Sequence, residues 1–171
     1  SRLVGERGHV IGIDMTPEQL AVARRHQAWQ AERYGHARSN VQLIEGRIED
    51  LAACGIADAS VDIVISNCVL NLSPDKEKVF AEIFRVLKPG GRFAVSDVVV
   101  RGEMPATIRK SMELWVGCIA GALSEDDYRA KLAKAGFDGI GVEVTRVYDV
   151  DDARAFLAAE GSDAEAAAKD V

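Results

Sequence analysis

Four short apolar runs punctuate the chain: "HVIGID" (9–14), "VQLIEG" (41–46), "VDIVISN" (61–67) and "RFAVSDVVV" (92–100). Each has the length and β-branched content of a strand, and a near-continuous apolar run is the mark of a strand covered on both faces. "VDIVISN" shows this most strongly. A fifth run, "GIGVEVTRVYDV" (139–150), alternates in its middle and reads as nearer an edge. Helix-patterned stretches separate most of these runs. Strand and helix alternating at this spacing specify an α/β three-layer sandwich with a mostly parallel sheet. In such sheets a ligand sits at the carboxyl ends of the strands, so the residues just past each strand are the candidates for a site.

The helices carry their own boundary signals. Thr16 is a good N-cap, with Pro17 at the first helical position and Gln19 where a capping box wants it. Leu20, Ala23, Ala28 and Ala31 form the apolar stripe, and Gly35 ends the helix. "EDLAACGIADAS" reads as a loop or short helical piece. Pro74 and Asp75 open a second helix through Leu87, with Val79, Ile83, Val86 and Leu87 inward and Lys76, Glu77 and Lys78 on a solvated face. "KPGG" (88–91) stops it. Residues 105–116 look helical. Ser124 caps "EDDYRAKLAKAG", closed by Gly136. Residues 151–160 also look helical, before the polar, Ala-rich tail 161–171. We see one domain over 1–160 and no repeats.

Composition narrows the function classes. The 171 residues are 48% hydrophobic and 28% charged, which suits a globular domain with a real core. The net charge of −6 and the lack of a basic, aromatic-rich stretch make nucleic acid an unexpected partner. No apolar run is long enough for a membrane span, and the first residues form no signal-peptide core; a cytoplasmic protein is the default expectation. Cys54, Cys68 and Cys118 are odd in number and widely spaced, which argues against a disulfide framework or a zinc finger.

Asp14 comes after the first strand, where a carboxylate can accept from vicinal ribose hydroxyls. A helix-approach aspartate that only favours the helix N-terminus fits the same position. Met15 can pack on an adenine face or in the core. Glu49 or Asp50, in "EGRIED", can accept from an adenine amino group or stay solvated. Asn67 and Cys68 come after the third strand, and "SD" and the stretch toward Cys118 after the fourth.

Taken together, "VIGIDMTPEQLAVAR", the acidic pair after the second strand, "VDIVISN" and "VFAEIFRVLKPGGRFAVSD" resemble the class I S-adenosylmethionine-dependent methyltransferases, with a Rossmann-like sandwich. "RVLKPGGRF" is the most specific piece. "SNCVLNLSPDKEKVFAEIFRVLKPGG", "ELWVGCIAGALSEDDYRAKLAKAGF" and "VEVTRVYDVDDARAFL" are similar to the arsenite methyltransferases within that superfamily. The resemblance implies that Asp14 holds the ribose and Met15 flanks the adenine. Ile48 and Glu49 meet the adenine edge through backbone and side chain respectively, and Asn67 lines the S-adenosylmethionine pocket. It also implies that Cys68 and Cys118 are arsenic ligands, whereas Cys54 matches no family ligand and reads as structural.

Trivalent arsenic is soft and prefers thiolates. It keeps a lone pair that can attack a sulfonium methyl, so no general base is needed and positioning carries the catalysis. Arsenite or a trivalent methylarsenical is the implied substrate, a thiol reductant the implied partner, and detoxification of arsenic the implied role. Two other readings fit the residues. One is a methyltransferase of the same branch acting on a quinone- or sterol-like molecule. The other is an inactive, thiol-based arsenic-binding fragment.

The family's first strand, with its Gly-rich turn and a further cysteine, would lie before Ser1, and its last strand after Val171. Without that first strand, "HVIGID" and "VDIVISN" are expected to expose unpaired edges at the sheet's centre, and the 171-residue chain alone to be poorly stable or repaired by association and to bind cofactor weakly or not at all.

Overall fold

The computed structural model describes residues 1–101 and 121–147. β1 (Val10–Asp14) and β2 (Val41–Glu45) pair in parallel, with Val10 opposite Val41 and Asp14 opposite Glu45. β3 (Val61–Asn67) and β4 (Leu87–Ser96) form a second parallel pair, with Ile63 opposite Arg92 and Asn67 opposite Ser96. Among the described residues no ladder joins β1 to β3.

α1 (Pro17–Arg33) links β1 to β2, α2 (Lys76–Val86) links β3 to β4, and α3 (Glu125–Ala135) lies beyond β4 in the chain. α2 and α3 begin where the sequence predicts. Asp75 accepts from the Lys78 backbone N–H at 3.0 Å, and Ser124 from that of Asp127 at 3.1 Å. Gly136 closes α3 at φ 109°, a left-handed conformation that a Cβ would strain. α1 departs from the expected capping box: Thr16 makes no side-chain cap bond. Its backbone N–H, which Gln19 would have reached, is taken by Asp14 Oδ1 at 2.8 Å.

The core lies between the β3–β4 pair and the two helices that cover it. Leu70, Val79, Phe80, Ile83, Leu87, Tyr128 and Leu132 form its buried centre, with Val64, Phe93, Val95 and Ile48 packed against it. Phe80 is fully buried and stacks at 5.2 Å on Tyr128 and 6.5 Å on Phe93. All four predicted inward residues of α2, Val79, Ile83, Val86 and Leu87, are buried. The Lys88–Gly91 segment bulges between the Leu87 and Arg92 pairings, and only glycine suits its end. A Cβ at Gly91 would sit 2.8 Å from the Lys88 carbonyl oxygen.

Five expectations are corrected. Among the described residues β3 is covered on one face only: Ile63 and Ile65 are 54% and 79% exposed, whereas Val64 packs against the core. In α1 Ala28 is exposed; the inward line runs through Leu20, Gln27 and Ala31, and Gln27 Nε2 donates to the Val41 carbonyl at 2.7 Å. β4 stops at Ser96 rather than running to Val100, because Asp97 Oδ1 turns back to accept from the Val98 N–H. Residues 139–147 form no strand, since no described segment pairs with them. Lys76 is not solvated: it is buried at 8% exposure under the 70–73 turn. The predicted helices at 105–116 and 151–160 and the tail 161–171 lie outside the described residues.

Candidate functional site at the strand carboxyl ends

Each ladder is parallel, so Asp14 ends beside Glu45 and Asn67 beside Ser96 at the carboxyl ends of their strands. The loops after those residues meet there through hydrogen bonds. The Asp14 carbonyl accepts from the Gly46 N–H at 3.0 Å, which sets the β2 exit beside β1. Three residues on, Glu49 Oε1 accepts from the Ser73 hydroxyl at 2.7 Å. That bond ties the β2 exit to the β3 exit, so the two strand pairs share one rim.

Asp14 keeps both openings that the sequence left. One carboxylate oxygen serves the Thr16 N–H and orders the approach to α1; the other has no partner among the described residues. Met15 is 62% exposed, a bare apolar side chain beside that carboxylate. Ile48 packs on the core and so fixes the loop that carries Glu49. Burial pushes the Glu49 carboxyl up, but the Ser73 hydroxyl, its own backbone N–H and Arg47 together outweigh that. The carboxyl ends below its ordinary value and is therefore an ionised acceptor at neutral pH.

Cys68 directly succeeds β3. Its N–H donates to the Ser96 carbonyl at 2.9 Å, and its thiol donates to Asn67 Oδ1 at 3.6 Å. The thiol is exposed on the rim. Its backbone sits at φ 53°, in the left-handed region. A residue with a Cβ pays about 1–3 kcal/mol to stay in such a conformation, and it persists only where its surroundings enforce it. The residues that follow it, the turn at 70–73 and the start of α2, are densely bonded. The single 3-10 turn Leu70–Leu72 buries Leu70 and Asn71. The Asn71 N–H donates to Asp97 Oδ2 at 3.1 Å, and its side-chain amide donates to the Val98 carbonyl at 2.7 Å. Lys76 Nζ donates to the carbonyls of Asn71 and Ser73 at 3.2 and 2.9 Å.

Burial pushes the Asp97 carboxyl up, against the N–H groups it accepts and the Lys76 charge. Sequence reasoning gives Asn71, Ser73 and Lys76 no part in the site. The signal for them is a pair of short polar residues, Asn71 and Ser73, flanking Leu72 just past a strand end.

The other cysteines separate. Cys54 packs its Sγ against Gly46, just past β2, and donates to the Asp50 carbonyl at 3.4 Å; burial pushes its thiol pKa up, which suits a structural role. Cys118 lies outside the described residues. Among the described residues no group of three or more His, Cys, Asp or Glu side chains could hold a metal ion, and no helix is long and apolar enough to cross a membrane. A groove of about 1200 Å³ runs along β4 toward residues 136–145. It reaches the rim only at Ser96 and Asp97 and includes neither Cys68, Asp14 nor Glu49, so its size does not make it the site.

Known proteins place this arrangement. A family model described as a methyltransferase domain matches residues 1–136. The chain is 48% identical over 137 residues to the arsenite methyltransferase of Mus musculus, covering 80% of this chain and 36% of that protein. Over 96 residues, 56% of this chain and 34% of the other, it is 40% identical to the ubiquinone/menaquinone biosynthesis C-methyltransferase UbiE of Vibrio vulnificus. Among solved structures it superposes on CrArsM, an arsenic(III) S-adenosylmethionine methyltransferase from Chlamydomonas reinhardtii. The TM-score is 0.79 at 42% identity, covering 92% of this chain and 53% of that one. The chain thus spans roughly a third of the mouse protein and about half of the algal structure. With parallel strand pairs, covering helices and a family match over most of its length, the chain belongs to the methyltransferase-domain family and has the class I methyltransferase fold.

Proposed function

We propose that this chain carries the cofactor- and metalloid-facing rim of an arsenite methyltransferase that uses S-adenosylmethionine. The observation that carries the reading is the exposed Cys68 thiol, held in a left-handed backbone at the β3 exit, which the Ser73–Glu49 bond ties to the β2 exit beside Asp14. A strained, exposed thiol at a strand's carboxyl end has little value as packing and suits a soft ligand. The arsenite methyltransferase relatives support the same substrate class.

The described residues fit the adenosine end of the cofactor. Asp14 offers an unengaged carboxylate oxygen to ribose hydroxyls, Met15 an apolar face to adenine, and Glu49 an ionised acceptor. Ile48 fixes the adenine-side loop and Asn67 lines the pocket at the β3 end. S-adenosylmethionine supplies the electrophilic methyl group. Cys68 and Cys118 hold trivalent arsenic as thiolates, and a thiol reductant keeps them reduced.

The test is the full polypeptide incubated with arsenite, S-adenosylmethionine and glutathione, with methylated arsenicals measured by mass spectrometry. Cys68→Ser and Cys118→Ser are each expected to abolish the product while cofactor binding stays within about twofold. The UbiE match favours a second reading, a carbon methyltransferase acting on a quinone. That reading takes over if both serine variants keep their activity on a quinone acceptor and wild type forms no methylated arsenic. Arsenite binding without product, despite bound cofactor, would leave only a binding module.

A further inference from the structure

We propose that Asp97 is a positioning residue for the Cys68 thiol, acting through the 70–72 turn; this rests on the reading of Cys68 as an arsenic ligand. Cys68 must be held in its left-handed conformation from both sides. Behind it, its own N–H is fixed to the Ser96 carbonyl at 2.9 Å. Ahead of it, Leu70 is buried in the core and its backbone bonds to Asp97, and Asn71 is fully buried and joined to 97–98 by two bonds of 3.1 and 2.7 Å.

The chemistry of that anchor calls for a carboxylate. Oδ2 of Asp97 takes the Asn71 N–H and Oδ1 takes the Val98 N–H at 2.9 Å, so both oxygens accept at once. An asparagine in its place has one acceptor oxygen and must drop one of the two. Lys76 completes the device from the opposite side. Its ammonium meets the carbonyls of Asn71 and Ser73, so the turn's N–H faces an anion and its carbonyls face a cation. Ser73 in turn reaches Glu49. The thiol's position is thereby coupled to the loop proposed to meet the adenine.

Two thiol reagents separate positioning from mere presence of the thiol. Phenylarsine oxide needs two converging thiols and forms two As–S bonds with loss of water. Iodoacetamide needs one thiolate and releases iodide. In the full polypeptide, Asp97→Ala is expected to weaken phenylarsine oxide binding about tenfold, while Cys68 alkylation, read by peptide mass, stays within about twofold. Asp97→Asn keeps one acceptor and should weaken binding about threefold; it also serves if the alanine variant fails to fold.

Unchanged arsenical binding in both variants overturns the proposal. So does a parallel loss in both reagents, which would mean a general structural role. If wild type does not bind phenylarsine oxide, the metalloid reading falls instead, and amide exchange decides the positioning. Exchange at residues 68–72 should then speed about tenfold in Asp97→Asn with α1 unchanged, and no change there overturns it.

Discussion

The two strand pairs have the same parallel geometry but very different support. β3–β4 lies under two helices and a cluster of stacked aromatics, with Val79 and Phe80 wholly buried. Among the described residues, β1–β2 is covered by α1 alone; none of the five β1 residues is fully buried, and α1 buries only Leu20 and Ala31. Polar side chains do part of the work there, with Gln27 and Arg24 donating to the Val41 and Leu43 carbonyls. The difference teaches that the two proposed sites rest on unequal foundations. The thiol stands on the packed half, whereas the acidic residue proposed for the ribose stands on the thin one.

Four measurements break or sharpen this contrast. Phe80→Ala should cost about 3–5 kcal/mol by opening a cavity among Phe93 and Tyr128, read by denaturant unfolding. Leu20→Ala should cost less, about 2–3 kcal/mol, and should speed amide exchange in β1 and β2 while α2 stays protected. If Leu20→Ala costs more than Phe80→Ala, the contrast is wrong.

Cys68→Gly relieves the left-handed strain. It should raise stability by about 1 kcal/mol in thermal unfolding while removing arsenite binding. A loss of stability there would mean that the conformation is not strained.

The smallest effect lies between the helices of the packed half. Glu77 on α2 faces both Lys131 and Lys134 on α3, and their hydrogen bonds and charges hold its carboxyl down at about 2. A carboxyl lowered in the folded state stabilises above its unfolded value near 4.5, and that contribution is lost as pH falls toward about 2. Glu77→Gln should flatten a weak decline in melting temperature over this window, and molar salt should mask it, since the pair is solvent-screened.

Much of this was legible in the sequence because it rests on local chemistry. Asp75 and Ser124 cap their helices as written, β3 occupies its predicted residues, and the strand-end rule leads to Asp14, Asn67 and Cys68. The errors arise where a distant group competes. Lys76 reads as a solvated helix residue until the 70–73 carbonyls claim its ammonium. Gln19 reads as half of a capping box until Asp14 takes the Thr16 N–H. Ile63 and Ile65 read as doubly covered because an apolar run cannot say which of its faces meets a helix. Asp97 was visible only as part of "SD", since its partner Asn71 lies 26 residues away.

The parallel direction within each strand pair has a practical consequence. Every residue proposed to touch a small molecule within the described part of the chain lies at or just beyond the strands' carboxyl ends, and the connections at 35–39 and 57–60 sit at the other extremity. Those connections are where a reporter dye, an affinity handle or a surface-attachment point belongs, because chemistry added there leaves the reactive edge facing the solvent.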